Sequence, residues 1–90
     1  MPVYLVTTFH NIGENSGSRI RVRPLPGQGL ADHVRVECSK AMRQAHPVGT
    51  IFKLNARLKD RPGKPFLVAP HTAHYEVISR EEARKFIKGR

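Results

Sequence analysis

The residues of this sequence that are best suited to chemistry are cations that alternate with apolar side chains. Arg19, Arg21 and Arg23 occupy every second position of one segment, and aliphatic residues fill the positions between them. Alternation with a period of two predicts a β-strand that places the three arginines on one face. Because like charges on one strand face repel one another, this face predicts a bound anion or an acidic neighbour.

A second segment, residues 50–68, has the same alternation in its first arm and predicts a β-hairpin. The side chains expected inside are Phe52, Leu54, Ala56 and Leu58. Those expected outside are Lys53, Asn55, Arg57 and Lys59. Pro62 and Gly63 fit the centre of a type II turn, with Arg61 and Lys64 on either side and Phe66–Val68 as the second arm.

The two segments together predict a nucleic-acid-binding surface. The chain has 16 Lys and Arg against seven Asp and Glu, a formal net charge of +9, and its pI is near 10.7. So basic a composition in a short chain favours a polyanionic partner, because cations on successive strand positions can contact successive phosphates. The predicted binding residues are Arg19, Arg21, Arg23, Lys53, Arg57, Lys59, Arg61 and Lys64.

The sequence leaves the kind of partner open. Phe, Tyr and Trp make up only 7% of the residues, so phosphate contacts would dominate over base stacking. No helix-turn-helix, zinc-finger or RNA-recognition signature is present, and DNA is not separated from RNA, nor single strands from double strands. The alternative interpretation is a protein-protein interaction or assembly module that presents its basic surface to an acidic protein. The oligomeric state is also left open.

The histidines and the single cysteine are candidates for metal binding or catalysis, and neither role is favoured. His71 and His74 are separated by two residues, but known zinc patterns need a second ligand pair at characteristic spacing. Cys38 has His33 nearby in sequence, yet it is expected on an apolar face as an inert thiol. With few acidic residues and no paired carboxylates, we expect a non-enzymatic protein without a metal or cofactor.

Composition and patterning predict a soluble, cytoplasmic protein. One cysteine excludes an intrachain disulfide framework and suits a reducing compartment. No apolar run approaches the roughly 18 residues needed to span a bilayer, so no membrane partner is expected. The opening residues, Met1–Tyr4, lack the basic start of a secretory signal.

Two further strands and one helix are predicted with clear boundaries. Val3–Phe9 and His74–Ile78 are rich in β-branched and aromatic residues, which favours strands. Ser79 and Glu82 have the spacing of a capping box, so a helix is predicted from this point to about Lys88. The side chains that form its apolar stripe are Ala83, Phe86 and Ile87. Residues 11–18 and 24–29 are rich in Gly, Pro, Asn and Ser and predict loops.

Residues 30–45 fit two structures. Apolar residues recur at intervals of three and four, which predicts one helix ending before Pro47. In the alternative, residues 33–38 form a strand that points Val34, Val36 and Cys38 inward, and a short helix is capped by Ser39. We predict the single helix, because the length of the segment favours it.

The resulting order of elements is β, β, α, β, β, β, α over one small basic domain, residues 1–90. This order predicts an α+β fold with two helices and a curled, mainly antiparallel sheet of about five strands, or a partly open barrel. The expected function is non-enzymatic nucleic-acid binding through the basic strand and hairpin surfaces.

Overall fold

The computed structural model describes residues 3–10, 20–30, 34–61, 64–70 and 72–89. The strands are β1 Val3–His10, β2 Ile20–Pro24, β3 Arg35–Glu37, β4 Ile51–Asn55, β5 Arg57–Arg61, β6 Lys64–Val68 and β7 Tyr75–Ile78. The helices are α1 Lys40–Gln44 and α2 Arg80–Lys88. The strands predicted over residues 3–9, 19–23 and 74–78 and the helix predicted after Ser79 are all present, with ends shifted by a residue or two.

The strands form two sheets. The larger has the order β2-β1-β4-β7, with antiparallel pairing throughout, and the smaller has the order β3-β6-β5, in which only β3 and β6 are parallel. The α+β class and the mainly antiparallel pairing are confirmed. The prediction of one sheet of about five strands was wrong, because seven described strands divide into two sheets that do not close into a barrel.

The division arises in the first arm of the predicted hairpin, which is not one strand. β4 ends at Asn55 in the larger sheet, Ala56 is fully buried, and β5 begins at Arg57 in the smaller sheet. Leu58 was predicted to be buried, but it is 42% exposed because the chain has moved to the edge of the second sheet. The hairpin itself is confirmed by the pairing of β5 with β6, and its predicted turn at 62–63 lies outside the described residues.

The prediction of a single helix over residues 30–45 was wrong, and the alternative is what the chain adopts. Val36 lies in β3, opposite Leu67 of β6, so pairing with a distant strand overrides the helical spacing of the apolar residues. Helix α1 begins only after Ser39, whose side chain accepts a hydrogen bond of 3.4 Å from the Met42 backbone. Cys38 therefore lies between β3 and α1 rather than on a helix.

The larger sheet is covered on both faces. One face packs on the smaller sheet and α1, with Val6, Phe52, Leu54, Leu67 and Met42 buried between them. The other face packs on α2, where Ala83 is buried and Phe86 and Ile87 are half-buried. The capping box of Ser79 and Glu82 is present at the start of α2, as predicted.

Gln28 joins the loop after β2 to the edge of the larger sheet. Its side chain is 8% exposed. Its Oε1 accepts from the Leu5 backbone N–H at 2.7 Å, and its Nε2 donates to the carbonyls of Leu5 and Leu25 at 2.8 Å each. β2 ends at Pro24. The next residue, Leu25, still donates its backbone N–H to the Leu5 carbonyl at 3.0 Å, while the Gln28 side chain supplies the acceptor for the Leu5 N–H.

We expect Gln28→Leu to lower the free energy of unfolding by about 3 kcal/mol, because it leaves the buried Leu5 N–H and Leu25 carbonyl without partners. Urea unfolding of the variant and the wild type measures this difference. Gln44→Leu, at an exposed position of α1, is the matched control and should change the free energy by less than about 0.5 kcal/mol. Equal effects at both positions would show that the three hydrogen bonds contribute nothing specific.

The same loop approaches α2 through Gly27. Its φ of +90° is unfavourable for residues with a side chain, and a Cβ here would lie 2.8 Å from Cγ2 of Ile87. Gly29 has a φ of +78°, and the position that its Cβ would occupy is surrounded by open space. A side chain at Gly29 would meet only backbone strain, whereas a side chain at Gly27 would meet both backbone strain and a steric clash with α2.

We expect Gly29→Ala to cost about 1 kcal/mol from backbone strain alone. Gly27→Ala should cost about 1–3 kcal/mol more, because the added methyl also displaces Ile87. Thermal or urea unfolding of both variants provides the comparison. Equal decreases in the free energy of unfolding of the two variants would mean that α2 moves to accommodate the methyl group at no measurable cost in stability.

Candidate anion-binding groove

The edge strands β2 and β3, one from each sheet, pack side by side and leave a groove between them. This cavity, called here the arginine groove, has a volume of about 440 Å³. The polar and aromatic side chains that line it are Phe9, Arg21, Arg23, Arg35, Glu37 and Arg43. Four cations from three elements therefore meet at one site, with a single carboxylate among the described lining residues.

The strand register explains how β2 supplies two of these cations. Arg21 lies opposite Phe9 and Arg23 lies opposite Thr7 of β1, so both arginines share the sheet face that α2 covers further along. Val22, between them, is buried on the other face. Because β2 is the last strand of its sheet, its arginines can reach around the edge into the groove.

Arg35 and Arg43 complete the site from the second sheet and from α1. Arg35 is exposed at the start of β3. Arg43 is half-buried, and its Nη1 donates to the carbonyl of Ile20 at 3.4 Å, which joins α1 to β2. Its Nε is buried and has no hydrogen-bond partner within the described part of the chain. A ligand oxygen in the groove would satisfy such a donor.

The groove also contains a cation–π contact. The guanidinium carbon of Arg23 lies 5.0 Å from the centroid of the Phe9 ring. This contact covers one region of the aromatic ring with a planar cation and restrains the guanidinium next to Phe9, which also lines the groove. The arrangement favours anions, because several like charges at close range are stabilised by a negative ligand.

The other predicted binding residues lie elsewhere. β1 separates β2 from β4, so the two basic segments are not neighbouring strands. Lys53 faces α2, with its Nζ 5.4 Å from the Phe86 ring centroid. Arg57, Lys59 and Lys64 are exposed on β5 and β6, in the smaller sheet. Arg19 and the side chain of Arg61 lie outside the described residues.

Arg35 and Arg43 were not among the predicted binding residues. Both fall in the segment that was predicted to be one helix, where they were expected on a solvated face. The available signal was the alternation of Val34 and Val36 around Arg35, which indicates a strand with an outward cation. Arg43 had no local signal, because its place in the groove depends on how α1 packs against β2.

Two of the described histidines, His46 and His74, contact aromatic or acidic neighbours. His46 packs edge-on against Phe52 and Tyr75, with ring centroids 5.3 and 6.0 Å away. His74 lies 3.6 Å from an oxygen of Glu76 at an exposed position. Among the described residues, no three His, Cys, Asp or Glu side chains gather as metal ligands. His33 and His71 lie outside this part of the chain.

Cys38 is half-buried beside the groove and packs against the main core. Burial raises the pKa of its thiol, and the nearby Arg43 cation offsets part of that rise. A raised thiol pKa means that less thiolate is present near neutral pH, and the thiolate is the reactive form. The raised pKa predicts that Cys38 reacts slowly as a nucleophile and that loss of the Arg43 charge would slow it further.

At pH 8 we expect iodoacetamide to alkylate Cys38 more slowly in the folded protein than in urea, because the raised pKa lowers the fraction of reactive thiolate. Arg43→Gln should slow the reaction further, since it removes the cation that favours the thiolate. Mass spectrometry of timed samples gives the rates.

The raised pKa of the Cys38 thiol determines the direction in which this group changes stability with pH. The unfolded thiol loses its proton at a lower pH than the folded one, so this group lowers stability as pH rises above the unfolded pKa. Replacing Cys38 with Ser should remove that dependence. Equal alkylation rates in the folded and unfolded chains would contradict the raised pKa.

No family model matches this sequence, and neither a curated protein nor a solved structure shows significant similarity to it. Within the described part of the chain, neither helix has the length and apolar character needed to cross a membrane.

Proposed function

We propose that this protein binds single-stranded nucleic acid through the arginine groove, without catalysing a reaction on it. The observation that carries the proposal is the convergence of Arg21, Arg23, Arg35 and Arg43 on one cavity between two sheet edges. Arg21 and Arg23 belong to the segment that the sequence already favoured as a binding surface. The net charge of +9 attracts polyanions over a longer range.

The chemistry of the arginines favours phosphate. A guanidinium presents its N–H groups as a planar fork that matches two oxygens of a phosphate group, and it keeps its charge at any physiological pH. Several such forks in one groove can hold successive phosphates of a chain and release their counterions. The buried Nε of Arg43 adds a donor that the described residues do not satisfy.

The shape of the site favours a single strand over a duplex. A recess of about 440 Å³ between two strand edges admits a flexible backbone, whereas a rigid duplex presents its phosphates on a broad convex surface. Phe9 already contacts Arg23, so the aromatic surface available for bases is small. Recognition would therefore depend on phosphates and show little sequence preference.

The exposed cations of the β5–β6 hairpin have a different role in this proposal. Arg57 and Lys59 lie in the smaller sheet and do not line the arginine groove. Their charge raises the association rate of any polyanion, an effect that salt screens, but it does not fix the ligand in place. A charge reversal at Arg57 is therefore a matched control for a charge reversal within the arginine groove.

Arg35→Glu should weaken binding of a fluorescein-labelled oligonucleotide by at least about tenfold and lower the salt slope by about one unit, because a phosphate contact is lost. Arg57→Glu makes the same change of charge on an equally exposed strand position outside the groove, and it should have a much smaller effect. Fluorescence anisotropy at about 50 to 200 mM salt measures both, with single-stranded and duplex oligonucleotides compared directly.

Each alternative result has a definite meaning. Equal weakening by the two variants would show that binding depends on net charge rather than on the arginine groove. Preference for the duplex would overturn the single-strand assignment. If the wild type binds neither oligonucleotide at about 50 mM salt, where phosphate contacts are strongest, the proposed function is wrong. Circular dichroism of each variant establishes that the fold is retained.

A further inference from the structure

We infer that a second groove, along α2, is a docking site for an acidic amphipathic peptide segment of a partner protein. This cavity, called here the helix groove, has a volume of about 650 Å³. Its floor includes Leu25, Ile51, Ala83 and Ile87. Its rim carries Arg80, Arg84 and Lys88 of α2 and also Arg23, which lines the arginine groove as well. The inference rests on this cavity alone and does not depend on nucleic-acid binding.

The sequence of α2 builds two parallel stripes. Arg80, Arg84 and Lys88 are spaced by four residues, so they form one basic ridge that extends about 12 Å along the helix. Ala83 and Ile87 form the adjacent apolar stripe, which meets the sheet. The two acidic residues of the first turn do not line the groove. The ridge is therefore positive along its whole length.

The floor offers apolar contact and few free hydrogen-bonding groups. Ile51 and Ala83 are buried, and Leu25 and Ile87 are half-buried with one side toward the groove. The hydroxyl of Thr7 donates to the carbonyl of Thr50 at 3.1 Å. The hydroxyl oxygen of Thr8 accepts from the backbone of Gly49 at 3.1 Å. With these hydroxyls engaged inside the protein, the floor favours an apolar occupant.

An occupant must therefore bring apolar groups for the floor and several negative charges for the rim. No described residue that lines the helix groove is acidic, while four are cations. A peptide helix with leucines on one face and glutamates beside them, each repeated every three or four residues, matches both stripes. A nucleic acid strand would leave the apolar floor uncovered, and a fatty acid would present one charge to four cations.

The decisive experiment is an NMR titration of the isotopically labelled protein with a synthetic peptide of about 15 residues, a length that suffices for an amphipathic helix. The peptide carries Glu and Leu on opposite faces, and a peptide of identical composition with a scrambled order is the control. We expect the ordered peptide to shift the methyl signals of Leu25, Ile51 and Ile87. The amide signals of Arg35 and Val36, which report on the arginine groove, should move little.

Reversing the charge of one rim residue tests whether the cations of the helix groove bind the acidic face of the peptide. Arg84→Glu should weaken binding of the ordered peptide by at least about tenfold, because it places a negative charge against the acidic face of the peptide. Lys85→Glu changes the same charge at the next position of α2, outside the groove, and should have a much smaller effect. The two changes differ in their effect on the helix, because Arg84→Glu gains a favourable pair with Lys88 whereas Lys85→Glu places a like charge four residues from Glu81. Circular dichroism of both variants therefore establishes that α2 is retained.

Each outcome decides the inference. Equal binding of the ordered and scrambled peptides would show only non-specific attraction and would overturn the proposed docking site. Equal effects of Arg84→Glu and Lys85→Glu on peptide binding would overturn it as well. Shifts of the floor methyl groups by decanoate but not by the ordered peptide would make the groove a fatty-acid site. Shifts by a single-stranded oligonucleotide alone would make it part of a nucleic-acid surface. Absence of any methyl shift would show that the groove does not bind these ligands.

Discussion

The passage of one stretch of chain from the larger sheet to the smaller one, at Ala56, is the constraint on which the rest of the structure depends. Ala56 is fully buried, and the strands on either side pair in different sheets. Side chains from both sheets, including Leu54 and Leu67, then share one core. A larger residue at position 56 would have to displace closely packed neighbours. Each sheet extends away from this crossing, and β2 and β3 lie side by side as a result.

This geometry explains why the charge collects where it does. The edge of a sheet exposes unpaired backbone groups, and charged side chains are a common protection against pairing with another chain. Here two edges meet, and the arginines of both line the space between them. Cations that repel one another are tolerated because the groove opens to water, so their desolvation remains incomplete. Protection of the edges and attraction of anions therefore come from the same side chains.

Local patterns predicted most of the elements but not their assembly. The capping box of Ser79 and the alternation in β2 and β4 are properties of neighbouring residues, and they were identified correctly. The strand β3 depends on its pairing with β6, about 30 residues away in sequence, and this contact overrode a helical periodicity that was also present. The arginine groove was only half predicted for the same reason. Arg21 and Arg23 share a local pattern, whereas Arg43 joins them through tertiary packing of α1.

The Leu5 N–H is bonded to a side-chain amide rather than to a backbone carbonyl, and this has a chemical consequence. A peptide bond is permanent under cellular conditions, but a glutamine amide can hydrolyse to a carboxylate. At position 28 the Nε2 that now donates to two carbonyl oxygens would become an acceptor, and an ionised carboxylate has no proton to offer them. Slow deamidation of Gln28 would thus convert two attractive contacts into repulsive ones. The age of a molecule, and not only its sequence, would then determine how firmly this loop holds the sheet edge.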